Sequence, residues 1–374
     1  MRIFLAFPKR GNVGIQNSEI WLKHVIPSLE KLGHELVVLD RDFGSLISGS
    51  FASLDEERRE RESFTEDLYD SVVKAHNGKP IDLFFSYFYS RCVDNEVVAA
   101  IKDLGIPTLN FSCNNVHQFF TVEEISPLYD YCMVPERAAL GKFREVGATA
   151  LHVQMGANPE FFVRSNLERQ YSMIFIGSKY ADRPAYIAEL IRHGVDIRVW
   201  GAGWQIDNVR KMASRGIFAM QAGGVPRLWR GIKKLASGWS DSKVVERIAG
   251  PVLTDEEMIS TYNASAMALN FSKALLEGSE SEYVRHMRMR DFEIPMTGVA
   301  AFLEYSDELG EYYDLDTEVV TFDDPEELAS KASYYSRHNE ELRKVGEAGY
   351  RRAIGEHTWE ARFRKTFQLI GLPS

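Results

Sequence analysis

The sequence predicts an α/β protein built from two doubly wound parallel sheets that face each other across a cleft. Three observations predict it. Strand-like and amphipathic helical segments alternate along most of the chain, which implies parallel strands joined by crossover helices. Runs such as IDLFFSYFY are apolar on both faces, as expected of strands covered on both sides. The 374 residues exceed what one hydrophobic core usually organises, so two domains are expected.

In order, RIFLAF reads as a strand, PKRGNVGIQNS as a polar glycine loop, EIWLKHVIPSLEKLG as a helix and HELVVLD as a second strand. IDLFFSYFY continues as a strand, NEVVAAIKDLG as a helix, and IPTLNFSC, YDYCMVP and ALHVQMG as further strands. After the polar stretch PEFFVRSNLERQ a second series begins: strand YSMIFIGS, helix RPAYIAELIRHG and strand DIRVWGAG. Later come AMALNF, VAAFLEY and EVVTF as strands, a helix from DDPEELASKASYY, and a final helix ending HTWEARFRKTFQLIGL. The expected division is a first Rossmann-like domain over 1–165, a second over 166–355, and a terminal segment 356–374.

Between 205 and 250 a basic, aromatic stretch interrupts the alternation and reads as an insertion. Leu228, Ile232, Leu235 and Trp239 fall at helical spacing, with Arg227, Arg230, Lys233 and Lys234 among them. Either this is a helix packed on its own domain with a solvated basic face, or residues 227–239 form a surface for anionic lipid or an anionic acceptor.

A net charge of -10 argues against a nucleic-acid binder, which needs a basic face. Three cysteines (Cys92, Cys113 and Cys132) make an odd count without metal-ligand spacing, as expected in a reducing compartment. MRIFLAFP is too short an apolar run for a signal core or a membrane span. The expected location is the cytoplasm, with peripheral contact at the inner membrane face as the alternative.

Ligands of doubly wound sheets settle at the carboxyl ends of strands, where loops and helix N-termini offer unpaired N–H donors. Four loops qualify: RGNVG with Gly11 and Asn12, GSKYADR, GAGW and NFSK. Gly177, Ser178, Lys179 and Arg183 bring backbone donors and cations to a place where a diphosphate fits, although a plain strand-to-helix turn also uses such a glycine. Gly201 and Gly203 would let a flat base approach the backbone; a GxG pair alone is weak.

RMRDFEIPMTG, residues 288–298 in the longer run MRMRDFEIPMTG, sets Arg290 and Glu293 three positions apart, either as a surface ion pair on one helical turn or as a grip on a charged ligand. Pro295 fits only a first turn or a kink, which favours an irregular segment and the second reading. Asp314-Leu315-Asp316 is a DxD, and its neighbours favour a turn over a metal site. Asp323 and Asp324 before Pro325 read as a helix N-cap.

Three runs carry a resemblance: MRMRDFEIPMTGVAAFLEYSDEL, TEVVTFDDPEELASKASYY and RKVGEAGYRRAIGEHTWEARFRKTF. Over residues 255 to 370 the chain resembles the C-terminal domain of glycosyltransferases of the spore-maturation (CgeB-like) type, with a glycosyltransferase family 1-like domain. FIGSKYADR, GAGW and RGNVG are similar in order to the wider GT-B superfamily. The resemblance implies a nucleotide-sugar donor, of the UDP or GDP type, held mainly by the second domain, and a last helix that crosses back to the first. It implies donor contacts from Trp204 and Asn270 beside the loops above. Many relatives that retain configuration carry two donor-site glutamates eight positions apart; Glu293 matches the second, and Arg285 stands where the first would be. Arg285, Arg288 and Arg290 are then possible diphosphate partners.

Departure of a nucleoside diphosphate develops negative charge, and the cations here suggest that no obligatory metal or other cofactor is needed. The expected reaction moves a sugar to a hydroxyl on a glycan, lipid-linked or protein acceptor; the alternatives are a nucleotide-sugar epimerase or hydrolase and a non-catalytic binding module. A general base must reach the acceptor hydroxyl. His117, beside Asn114 and Asn115, and Asp94 are the candidates, against a satisfied loop histidine and a helix N-cap. His357 and Trp359 read as anchors of the last helix.

Overall fold

The computed structural model describes residues 1–9, 19–49, 51–205, 241–276 and 282–373. Gly11, Asn12 and the basic stretch 227–239 lie outside the described residues.

Six strands form the first sheet: β1 (Arg2–Ala6), β2 (Glu35–Val38), β3 (Leu83–Ser86), β4 (Thr108–Phe111), β5 (Tyr131–Val134) and β6 (Ala150–His152). They are parallel, in the order β2-β1-β3-β4-β5-β6. The second sheet contains β7 (Tyr171–Ile176), β8 (Ile197–Trp200), β9 (Ala249–Gly250), β10 (Ser265–Asn270), β13 (Ala300–Glu304) and β14 (Val320–Phe322), parallel in the order β14-β13-β10-β7-β8-β9. A short antiparallel hairpin, β11 (Lys273–Leu275) with β12 (Tyr283–Arg285), rises from the end of β10. The winding reverses between β1 and β3 in one sheet and between β7 and β10 in the other, and such reversals open crevices at strand carboxyl ends.

The central strands are apolar because both faces are covered: every residue of β3, β4 and β13 is buried. Side-chain caps start the flanking helices. Asp324 accepts from the amides of Glu326 and Glu327, and Thr254 forms a reciprocal capping box with Glu257. The 25-residue helix Leu54–Gly78, absent from the sequence reading, packs Phe64, Leu68 and Val72 beside the first sheet.

The final helix, Trp359–Leu369, lies on the first sheet's side of the molecule. Trp359 meets Phe111 at 5.7 Å between ring centroids, and Phe363 meets Phe85 at 5.9 Å. A Cβ at Gly156 would stand 2.9 Å from the backbone at Thr358 and Trp359, so glycine is needed for this approach. Trp359 is therefore an anchor, as is His357, whose Nε2 lies 2.7 Å from the Tyr312 carbonyl while its Nδ1 lies 3.2 Å from Arg362 Nη2.

That bonding defines a neutral imidazole: Nε2–H donates and Nδ1 accepts. Burial, then Arg362, push the pKa of His357 down to about 4. Between the unfolded value near 6.5 and about 4, the unfolded chain binds a proton that the native ring refuses, so stability falls as pH drops through this window. His357 is expected to contribute a loss of roughly 2 kcal/mol between pH 7 and pH 5. Urea unfolding at the two pH values checks this, since His357→Gln should lose that share of the pH dependence.

The helix Arg290–Met296 corrects the reading of an irregular segment. It is a regular seven-residue helix with Pro295 in its last turn. The N–H that proline lacks would have bonded the Asp291 carbonyl, and the Tyr313 hydroxyl donates to that oxygen instead at 2.9 Å. Asp314–Asp316 forms a turn: Glu318 N reaches the Asp314 carbonyl at 2.8 Å, Asp316 takes a positive φ of 59°, and Lys331 pairs with its carboxylate.

Candidate nucleotide-sugar site between the lobes

The loops after β7 and β8 interlock. Gly177 N bonds the Trp200 carbonyl and Lys179 N the Ala202 carbonyl, both at 2.8 Å. A Cβ on Gly201 would stand 2.2 Å from the Gly177 oxygen, and Gly203 has φ +82°. The backbone that approaches Gly201 is thus the β7 loop rather than a base. Trp204 needs the same correction: it is 1% exposed, and its indole donates to the Gly177 carbonyl at 2.6 Å. These residues shape the loop that presents Ser178, Lys179 and Arg183.

Arg183 begins the helix Arg183–Arg192. Its Nη1 donates to the Ser178 carbonyl at 2.9 Å, and its guanidinium lies over the rings of Phe175, Phe271 and Tyr180. Burial, then the nearby Arg288, push its pKa down to about 10, so it stays protonated at neutral pH. Lys179 is also lowered by burial, against Glu246.

Arg288 reaches across the lobes. Nη1 stands 3.4 Å from Asn114 Oδ1, and Nη2 donates to the Lys273 carbonyl at 3.1 Å. Its main-chain N–H donates to Asp291 Oδ2 at 2.7 Å, while Asn270 Nδ2 donates to Asp291 Oδ1 at 2.6 Å. Asn270 therefore holds Asp291, whose pKa burial pushes up to about 6 against these bonds. Arg285 does not join this group; its guanidinium pairs with Asp323.

On the first lobe, Asn114 takes a left-handed φ of 68°, turning its amide toward Glu136. Glu136 follows β5 and is 1% exposed. It accepts from the main-chain amides of Asn114 and Asn115 and, at 3.0 Å, from Asn115 Nδ2. Burial outweighs these bonds and pushes its pKa up to about 7. His117 lies beside this loop, with its pKa pushed down to about 4 by burial, Arg288 and Lys142.

Arg290, Glu293 and Asp94 are engaged by partners outside this group. Glu293 has no exposed surface: His24 Nε2 lies 2.9 Å from Oε1, and Arg290 binds Oε2. The pair is indeed i,i+3 on one helical turn, but it is buried against the first lobe and presents no free face to a ribose. Asp94 pairs with Arg61 at 2.8 Å, its main-chain N–H donates to Thr65 Oγ1 at 2.9 Å, and the N-cap of the helix Glu96–Asp103 is Asn95 rather than Asp94. The long helix Leu54–Gly78 occupies this carboxylate.

Four buried nitrogens at the junction lack a hydrogen-bond partner among the described residues: Arg183 Nε, Arg288 Nε, His117 Nδ1 and His286 Nε2. Unpartnered buried polar groups are costly, and their concentration at facing strand ends is what a polar ligand would complete. Among the described residues no group of three or more His, Cys, Asp or Glu side chains is placed to hold a metal ion.

Comparison with known proteins supplies the deciding likeness. Residues 183–368 match the model of a family described as glycosyl transferase-like. Sucrose-phosphate synthase from Thermosynechococcus elongatus superposes with a TM-score of 0.61 at 12% identity, over 99% of this chain and 98% of that one. The chain has the GT-B fold. The matched stretch begins at Arg183 and runs through the second sheet into the helix Trp359–Leu369. The Anabaena protein Alr3699/HepE, solved in complex with UDP-glucose, has a TM-score of 0.60 at 8% identity, over 99% of both chains. A UDP-N-acetylglucosamine 2-epimerase from Listeria monocytogenes, described as provisional, gives 0.54 at 10% identity, over 98% of this chain and 95% of that one. At these identities the solved structures speak for the GT-B architecture alone. No curated protein sequence matches the chain. No helix among the described residues is long and apolar enough to cross a membrane.

Proposed function

We propose that this GT-B protein is a glycosyltransferase that takes a sugar from a nucleoside-diphosphate donor and passes it to a hydroxyl acceptor, with fixed cations rather than a metal receiving the leaving group. The observation that carries the proposal is the pair Arg183 and Arg288, two guanidiniums whose Nε atoms are unpartnered among the described residues, beside the winding reversal of the second sheet. A diphosphate between them would gain charge-assisted hydrogen bonds as its negative charge grows. Ser178 and Lys179 complete the donor loop, and UDP is the first nucleotide to try because the similar Anabaena protein is solved with it.

A thermal-shift series with UDP, GDP and other nucleoside diphosphates tests the reading. A nucleotide at 100 times its Kd should stabilise the protein by about 2.7 kcal/mol, and the shift should survive EDTA. No shift with any nucleoside diphosphate would remove the proposal. Product analysis with nucleotide sugars then separates acceptor-dependent transfer from acceptor-free epimerisation or hydrolysis. An acceptor presented at an anionic membrane would be met by the stretch 227–239, a contact that anionic vesicles at low salt would test.

A further inference from the structure

Two imidazoles meet where the lobes join. His286, at the foot of the hairpin on the second lobe, is 4% exposed, and its ring centroid stands 5.6 Å from that of His117 on the first lobe. His286 Nδ1 lies 3.0 Å from the Met287 carbonyl, which can only accept, so Nδ1 carries the proton and Nε2 holds a lone pair. That Nε2 is one of the four buried nitrogens without a hydrogen-bond partner among the described residues. Glu136 Oε1, from the opposite lobe, stands 3.9 Å from Nδ1. The charged groups facing the ring are Glu136 and Arg288, and His117 is its other titratable neighbour. Burial, then Arg288 and His117, hold the His286 pKa well below its ordinary value, which leaves a neutral base at physiological pH.

We propose that His286, backed by Glu136, accepts the proton of the hydroxyl that attacks the donor sugar; this rests on the glycosyl-transfer reading above. The hydroxyl oxygen bonds to the anomeric carbon, and the bond from that carbon to the diphosphate oxygen breaks. The electron pair leaves on the diphosphate beside Arg183 and Arg288, and the hydroxyl proton moves to Nε2. The imidazolium so formed favours the ionised state of the neighbouring Glu136 carboxylate. The His117 ring packs beside His286 from the other lobe.

The test uses UDP-glucose, UDP-N-acetylglucosamine or GDP-mannose, whichever stabilises the full-length protein most, with water as acceptor and nucleoside diphosphate release as readout. His286→Asn keeps an N–H for the Met287 carbonyl but has no distal nitrogen. Release should fall about 100-fold or more, while the thermal shift from UDP stays at its wild-type size. In Glu136→Gln the acid limb of the pH–rate profile, set near pH 7 in the parent by protonation of Glu136, should move to the lower pH at which His286 itself is protonated, because glutamine carries no charge to lose, and release should fall roughly tenfold. A merely structural role would lower the rate without moving the limb. Near-normal release by His286→Asn, loss of its UDP shift, or an unmoved limb in Glu136→Gln would each overturn the assignment; should His286→Asn not fold, the limb decides. A wild-type protein that neither binds nor releases any nucleotide would instead remove the transfer reading itself.

Discussion

Replacing Glu293 with alanine is expected to destabilise the native protein by about 3–5 kcal/mol, the usual cost of removing one partner from a buried ion pair. The side chain has zero exposure and lies between Arg290 and His24, a residue 269 positions away in the other lobe. Burial alone would raise the Glu293 pKa, but Arg290, then the contact with His24, hold it below the ordinary value. The alanine variant leaves a buried guanidinium without its carboxylate and an imidazole N–H without an acceptor. Because stabilities are typically 5–15 kcal/mol, this loss should appear as a large drop in the urea midpoint. Glu293→Gln, which keeps an acceptor for His24, should lose less. An alanine variant that melts like the parent yet loses nucleotide affinity would return Glu293 to the donor site.

The second large effect concerns binding. Arg288→Ala is expected to weaken UDP binding roughly 10- to 100-fold, the equivalent of one charge-assisted contact at 1.4 kcal/mol per factor of ten. Lysine at 288 should not restore it, because an ammonium cannot reproduce the fork that reaches Asn114, the Lys273 carbonyl and a phosphate together. Calorimetric titration of the two variants checks this. Unchanged affinity in both would move the diphosphate elsewhere. Arg285 serves as the internal control: it pairs with Asp323, so Arg285→Ala should bind UDP like the parent.

Much of the fold is legible in the sequence because its strands are buried on both faces, so apolar runs such as LFFS and AAFLE announce themselves without long-range information. The site is legible only in part. Arg183, Arg288 and His117 are charged or titratable residues near predicted strand ends, and position alone recommends them. Glu136 carries a usable signal, an acid just beyond the strand YCMV, but its burial depends on Asn114 and Asn115 folding back on it. His286 gains its meaning only from His117 and Glu136 on the other lobe. The spacing of Arg290 and Glu293 places both on one side of a turn; it does not say that the side is buried, because His24 decides that. Trp204 follows two glycines and invites a stacking role, whereas the loop curls so that its indole closes on Gly177.

The helix Trp359–Leu369 has a consequence for biosynthesis. All six strands of the first sheet have been synthesised once residue 152 is made, yet Phe85 and Phe111 pack against the rings of Phe363 and Trp359. The first lobe must therefore wait, with greasy surface uncovered, for some two hundred further residues to be translated, which makes the nascent chain a client for holding chaperones. For the same reason residues 1–165 produced alone should precipitate, and should be rescued when a peptide spanning 356–374 is supplied in trans.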